Sequence, residues 1–210
     1  PSLCPSVVPV KLADNFLERR VVKKLYGGPP KEMTVEEIDE IVGKFVVAAK
    51  VVKLAGTLSR FSPVSLWVTY NKFESLAGFK AVAIHAAHGF LVSQFLSPYT
   101  NRRTDDYGGT PEKRLKFLQR IVIEVREAVG PDFCVGVKLN SGDYMKNDAG
   151  LMPDEAIEQV RWLLTCGLLD MCELSGGNAE GSQGSSRLAC TCFPPYSSYL
   201  LYAYDAVDLE

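Results

Sequence analysis

Apolar positions between residues 34 and 56 recur with the period of an α-helix. Thr34 and Glu37 form a capping box, in which the Thr34 hydroxyl bonds a free N–H group and Glu37 reaches back to the cap. The apolar face of this helix comprises Ile38, Ile41, Val42, Phe45, Ala49 and Val52. The pattern therefore predicts a helix that starts at Thr34 and stops near Gly56.

Strand-like and helical patterns alternate from residue 79 onward. A second helix is predicted from Thr110, with Pro111 in its first turn, to Gly130, and a third from Pro153 to Cys166. Buried strands are predicted from the apolar runs at 79–84, 133–139 and 168–174. Such alternation requires parallel strands joined by right-handed crossovers. The fold class is therefore α/β, either a doubly wound sheet or part of a (β/α) barrel, and periodicity does not separate the two.

Two segments interrupt this alternation. Residues 57–78 end in Leu76-Ala77-Gly78, which repeats Leu54-Ala55-Gly56. Without residues 57–78, the first helix would end at Gly56 and be followed by the strand at 79–84 after a short loop. We hypothesise an insertion such as a retained intron, and the alternative is a surface excursion or β-hairpin with a strand at 65–70. The tail from residue 181 is rich in Ser, Pro, Cys and Tyr. Residues 1–180 are therefore predicted to form one domain, and 181–210 an irregular tail.

Composition narrows the classes of partner. The chain has 210 residues, of which 47% are hydrophobic, enough for a real core. Its 23 basic and 25 acidic residues leave a formal charge of −2, which favours a small-molecule partner over nucleic acid or an anionic membrane. The chain has no run of about 18 apolar residues and no secretory signal pattern at its start, so we expect a cytoplasmic protein. Its six cysteines are expected to be reduced thiols.

Both histidines of the chain lie where the apolar run at 79–84 ends. His85 and His88 are followed by Gly and Ser-Pro elements, which indicate a strand end that opens into a long structured loop. An α/β enzyme keeps its chemistry at such strand ends. Two other interpretations stay open. The histidines could only cap the strand, or they could bind zinc with Asp105 or Asp106 as the third ligand.

Three motifs carry a resemblance to a known family. They are His85-Ala86-Ala87-His88-Gly89-Phe90 with the run from Asn101 to Gly109, Val135-Gly136-Val137-Lys138-Leu139-Asn140-Ser141, and Glu173-Leu174-Ser175-Gly176-Gly177. With them the chain resembles the Old Yellow Enzyme family of FMN-dependent NADH:flavin oxidoreductases and ene-reductases, over roughly two thirds of its length. The resemblance implies a partial TIM (β/α)8 barrel, covering about the fourth to the sixth βα units, with FMN at the C-terminal strand ends.

The resemblance implies three catalytic positions. His85 and His88 match the side chains that donate hydrogen bonds to the carbonyl or nitro oxygen of the substrate, where negative charge builds during hydride transfer. Phe90 stands where most members carry the tyrosine that protonates the substrate, and phenylalanine has no proton to give. The outcome would be ene-reduction with water as proton donor, a different substrate, or no ene-reduction.

The resemblance also implies cofactor contacts. Lys138 matches the basic residue near the flavin N1 and C2 carbonyl, and a Lys inside an apolar strand is hard to explain as a surface charge. Ser175 and Gly176 could approach the bound cofactor, although a simple Gly-rich turn fits equally well. A bracing role for the loop after the fourth strand is implied for Asn101, Arg103, Asp105, Tyr107, Gly108 and Gly109.

The expected activity is hydride transfer from NADH or NADPH, through FMN, to an activated alkene or carbonyl-conjugated substrate. The first strands of the family barrel and its last two βα units have no counterpart in this chain, and a full barrel needs about 250 residues. We therefore expect a truncated member. The alternative is a catalytically inactive fragment or an interaction protein derived from that fold. Open barrel edges would also permit self-association.

Overall fold

A four-stranded sheet organises the part of the chain that the structure describes. The computed structural model describes residues 3–8, 30–58, 79–145, 147, 149–178 and 187–193. The strands are β1 (Leu3–Cys4), β2 (Lys31–Glu32), β3 (Ala81–Ala86), β4 (Cys134–Asn140), β5 (Met171–Gly176) and β6 (Arg187–Phe193). The helices are α1 (Val35–Leu58), α2 (Leu91–Leu96), α3 (Pro111–Val129) and α4 (Pro153–Thr165).

The strand order of the larger sheet is β3-β4-β5-β6. β3, β4 and β5 are parallel, with α3 and α4 in the connections, which confirms the predicted α/β alternation. β1 and β2 form a separate parallel pair. Within the described ranges β3 lies at one edge of the larger sheet. The predicted self-association through an open edge stays a prediction.

The tail differs from its predicted irregular state at 187–193. This segment forms β6, which pairs antiparallel with β5. Its sequence alternates Leu188, Cys190 and Cys192 with other residues, a period-two pattern that the Ser- and Pro-rich composition around it obscured. Residues 181–186 and 194–210 lie outside the described residues.

The first helix begins at its predicted cap. The Thr34 N–H donates to Glu37 Oε2 at 3.0 Å, and the Glu37 N–H donates to Thr34 Oγ1 at 3.2 Å. The helix does not stop at Gly56 but continues to Leu58, because one glycine costs a helix only about 1 kcal/mol. Most of the hypothesised insertion, residues 59–78, lies outside the described residues, so that hypothesis stays open.

The helices cover one face of the sheet. Ile84, Val137 and Leu139 point towards them and are buried, together with Ile121 and Val122 of α3. Because side chains alternate along a strand, the residues between these point to the other face. We call this second side the histidine face. It carries Ala81, Ala83, His85, Gly136, Lys138, Asn140, Met171, Glu173 and Ser175.

The loop between α2 and α3 is tied down by side chains. The Asn101 amide donates to the carbonyl oxygens of Phe95 and Tyr107, both at 2.7 Å. The Arg103 guanidinium, 7% exposed as a residue, binds Asp105 and donates to the carbonyl oxygen of Met33 at 2.6 Å. A Cβ at Gly108 would lie 2.5 Å from the carbonyl oxygen of Arg103, so that only glycine fits there. These contacts agree with the bracing role expected of the loop.

Two other sequence-based expectations concern the whole chain. The cysteines at positions 4, 134 and 166 are free thiols, as expected, and the structure does not describe the side chains at 190 and 192. Among the described helices none combines the length and apolarity needed to span a bilayer.

Candidate functional site

The parallel strands bring three ionisable side chains into one row. His85 on β3 pairs in register with Lys138 on β4, and Lys138 pairs with Glu173 on β5. All three lie on the histidine face, towards the C-terminal ends of their strands. His85 is exposed, and the other two side chains are partly buried. The row is therefore accessible to a ligand from the same face.

His88 follows the strand in an unusual backbone conformation. Its φ is 62°, in the left-handed region, and Gly89 follows at 76°. The His88 N–H donates to Asn140 Oδ1 at 3.1 Å, which holds this turn against the end of β4. The turn brings the two imidazoles together, with ring centroids 5.2 Å apart and the planes at 72°. Strained backbone that neighbouring contacts maintain is typical of functional sites.

A buried serine fixes the His88 ring. Ser175 Oγ lies 2.7 Å from His88 Nε2, and Ser175 is only 2% exposed. If the hydroxyl donates to Nε2, the ring proton resides on Nδ1, and that nitrogen is left to donate to a ligand. The structure therefore connects Ser175 to the histidine pair, and its predicted contact with a cofactor stays a prediction.

The surroundings lower the pKa of both imidazoles, which favours their neutral form. Although His85 is exposed as a residue, partial burial of its ring is the main cause that lowers its pKa, and the nearby Lys138 cation lowers it further. Burial also lowers the pKa of His88 most, followed by His85 and then Lys138. The Glu173 carboxylate acts in the opposite direction on both. A neutral imidazole carries one N–H donor, the form suited to bind a carbonyl oxygen.

Lys138 lies on the histidine face, where its predicted role requires it. Its Nζ binds Glu173 Oε1 at 2.6 Å, and both side chains are 19% exposed. Reasoning from the sequence missed Glu173. The signal was present, because Glu173 is a charge inside an apolar strand, the same observation that identified Lys138.

Asn140 is a second residue that sequence reasoning missed. It is 2% exposed, and its amide donates to the Gly177 carbonyl oxygen at 3.0 Å and to Asp143 Oδ1 at 3.2 Å. Together with its contact to the His88 N–H, these bonds join the C-terminal ends of three strands. Its sequence signal is a polar residue that directly ends a buried strand.

Phe90 lies beside the first histidine. Its side chain is 59% exposed and its ring centroid is 4.9 Å from that of His85. The structure therefore places Phe90 at the site, where it supplies an apolar surface and no proton.

Gly176 is explained by packing. A Cβ at Gly176 would lie 2.7 Å from the Tyr144 ring, whose hydroxyl contacts Ser141 Oγ at 3.1 Å. The close approach of the Tyr144 ring therefore requires glycine at this position. The predicted contact of Gly176 with a cofactor also stays a prediction.

The zinc alternative finds no third ligand in the described part of the chain. No group of three His, Cys, Asp or Glu residues is arranged there to hold a metal ion. Asp105 is bound to Arg103, and Asp106 to Lys116.

Comparison with known proteins identifies the family. The model of the NADH:flavin oxidoreductase / NADH oxidase family matches residues 71–167, a range that contains both histidines and Lys138. The NADH-dependent flavin oxidoreductase iliE of Hypocrea jecorina is 34% identical over 181 residues, which are 85% of this chain and 38% of that protein. The NADH-dependent flavin oxidoreductase nadA of Aspergillus parasiticus is 46% identical over 110 residues, 50% of this chain and 23% of that protein.

Solved structures agree with this assignment. A 2-naphthoyl-CoA reductase complex superimposes with a TM-score of 0.63 at 28% identity, over 86% of this chain and 22% of that one. Old Yellow Enzyme from a Pichia species superimposes with a TM-score of 0.51 at 28% identity, over 77% of this chain and 35% of that one.

The likeness also decides between the two α/β architectures. These neighbours are TIM barrels, so the sheet is part of a barrel and not a doubly wound sheet. The chain spans between 20% and 38% of the length of the first three curated relatives that it matches. The chain belongs to the NADH:flavin oxidoreductase family that includes Old Yellow Enzyme, and it carries part of the family barrel.

Proposed function

We propose that this chain carries the substrate-binding residues of an FMN-dependent oxidoreductase site. The reaction is hydride transfer from NADH or NADPH, through FMN, to an activated alkene or a carbonyl-conjugated substrate. The observation that carries the proposal is the pair of imidazoles, with ring centroids 5.2 Å apart, beside Lys138 at the C-terminal ends of parallel strands. Catalytic groups of TIM barrels come from these strand ends.

The residues present fit the ring portion of FMN. The edge of the flavin ring that carries N1 and the C2 carbonyl needs a cation and hydrogen-bond donors. Lys138 supplies a cation on the histidine face. Ala83, two residues before His85 on the same face, is exposed, and its register partner on β4 is Gly136, so small residues precede the row on this face. When bound, FMN would supply the relay of hydride from nicotinamide to substrate.

The two histidines would bind the substrate oxygen. Neutral N–H donors stabilise the negative charge that develops on a carbonyl oxygen more than they stabilise the uncharged ground state. Ser175 holds the His88 ring and Asn140 holds its backbone, so this donor is oriented before the substrate arrives. Loss of one such donor typically lowers kcat by about 10²–10³-fold.

Phe90 affects the protonation step of the proposed ene-reduction. Its ring packs against His85 where a tyrosine could have donated a proton to the substrate α-carbon. We propose that water supplies this proton, so enones without a second activating group turn over slowly. A nitroalkene, whose α-carbon anion is better stabilised, is therefore the preferred test substrate.

Turnover of a nitroalkene tests the proposal. The purified chain is mixed anaerobically with FMN, NADH or NADPH, and a nitroalkene, and the nitroalkane is measured by gas chromatography. We expect product with the native chain and a loss with Lys138→Met, because the cation is removed. Lys116→Met is the matched control, since Lys116 pairs with Asp106 on the exposed side of α3. Absence of product with the native chain, with both reductants, would contradict the proposal.

A further inference from the structure

The Lys138 ammonium already has an anionic partner on the histidine face. Glu173 Oε1 lies 2.6 Å from Lys138 Nζ, and each side chain is 19% exposed. The two residues are direct register partners on β4 and β5, and His85 is the register partner of Lys138 on the other side. The order across the face is therefore imidazole, ammonium, carboxylate.

This order has an energetic reason and a chemical consequence. A charge in a strand interior is costly to bury unless an opposite charge compensates it, and the carboxylate does so here. Glu173 also limits how strongly the Lys138 ammonium attracts a ligand, because the ammonium is shared between the Glu173 carboxylate and any group that binds the histidine face. Among the side chains that the structure describes, the titratable groups that face one another here are His85, His88, Lys138 and Glu173.

We infer that Glu173 is a positioning residue: it holds the Lys138 ammonium in the row beside His85 and partly cancels the positive charge that this ammonium presents to the site. The inference rests on the proposed function only where it concerns a bound flavin. The pairing of Lys138 with Glu173 does not depend on a cofactor, so its electrostatic effect can be measured in the flavin-free chain.

The two histidines report this arrangement directly. They are the only histidines of the chain, so its imidazole NMR spectrum contains two sets of signals, provided that no histidine tag is attached. The experiment is a pH titration of the chain labelled with ¹⁵N at histidine, without FMN. The variant is Glu173→Gln, which keeps the size of the side chain and removes its charge.

We expect the pKa of both histidines to fall in Glu173→Gln, by roughly half a pH unit, because the Glu173 carboxylate no longer offsets the Lys138 cation. Glu158→Gln is the matched control, since Glu158 pairs with Arg161 at the exposed surface of α4 and should leave both titrations unchanged. A Glu173→Gln protein whose histidines titrate as in the native chain would overturn the inference.

Lys138→Met provides the test of opposite sign. Removal of the cation should raise the pKa of both histidines, and it serves alone if Glu173→Gln does not fold, as judged by circular dichroism. No rise in a folded Lys138→Met protein would also overturn the inference, because the ammonium would then not lie beside the imidazoles. Since no flavin is present, a failure of the proposed oxidoreductase activity leaves both results interpretable.

Discussion

Neighbouring residues on β4 face two different environments. Leu139 is 1% exposed and packs in the core beneath the helices, whereas Lys138 lies on the histidine face against Glu173. The first face is apolar throughout and is shared with α1, α3 and α4. The second is polar at its C-terminal end. One face therefore stabilises the fold, and the other carries the residues of the proposed site.

The largest expected difference between the faces is in stability. Leu139→Ala should lower the free energy of unfolding by about 2–5 kcal/mol, because it opens a cavity in the packed core. Lys138→Met should lower it by less, about 1–2 kcal/mol, because the Glu173 carboxylate loses its Lys138 partner but keeps some contact with water. Urea unfolding followed by circular dichroism measures both. Equal losses would show that the two faces do not divide these roles.

The second prediction concerns activity on the histidine face. His85→Ala should lower the kcat of nitroalkene reduction by about 10²–10³-fold, because one donor to the substrate oxygen is lost. Steady-state kinetics measures this. Ile123→Ala, at a surface position of α3 that is 37% exposed, is the control and should leave kcat unchanged. A His85→Ala protein with native kcat would remove His85 from the site.

Phe90→Tyr adds a proton donor to the proposed site. The new hydroxyl would stand beside His85, so enone reduction should accelerate by roughly tenfold or more. The measurement is product formation from 2-cyclohexenone and from the nitroalkene, with the larger gain expected for the enone. Equal rates in Phe90→Tyr and the native chain would mean that proton supply does not limit the reaction.

The smallest expected effect is the pH dependence of stability. The pKa of both histidines is lowered from 6.5 in the folded chain, mainly by burial, so the unfolded chain binds protons more readily. Their contribution to stability is therefore present above about pH 6.5 and is lost as the pH falls from there through the folded pKa.

Urea unfolding at pH 7.5, 6.5 and 5.5 measures this dependence. A His85→Phe/His88→Phe double variant should show a flatter profile over the same range. The Asp105 carboxyl, whose pKa the bound Arg103 lowers from 3.8, contributes only in a more acidic window. A native chain that gains stability on acidification from pH 7.5 to 5.5 would contradict the account.

Local signals in the sequence predicted the three longer helices, α1, α3 and α4, and the three parallel strands, β3, β4 and β5. The capping box at Thr34 and the Thr110–Gly130 boundaries depend on residues a few positions apart, and both are found as expected. The short helix α2 and the strands β1, β2 and β6 were missed. β6 depends on pairing with β5, which local composition does not reveal.

The site was only partly predictable, because its contacts join distant parts of the chain. The motif identified the two histidines and Lys138, but the contact of Lys138 with Glu173 spans 35 residues. The contacts of His88 with Asn140 and with Ser175 span 52 and 87 residues. Strand register places these partners together, and register depends on how the whole sheet assembles.

Retention of FMN tests the central claim most directly. The chain is incubated with FMN, separated by gel filtration, and its visible absorption spectrum is recorded. The account predicts a yellow, compact protein that carries flavin, and a Lys138→Met protein that carries less. A native chain that elutes folded and colourless would contradict the account, and it would leave the histidine face as a structural remnant of the family site.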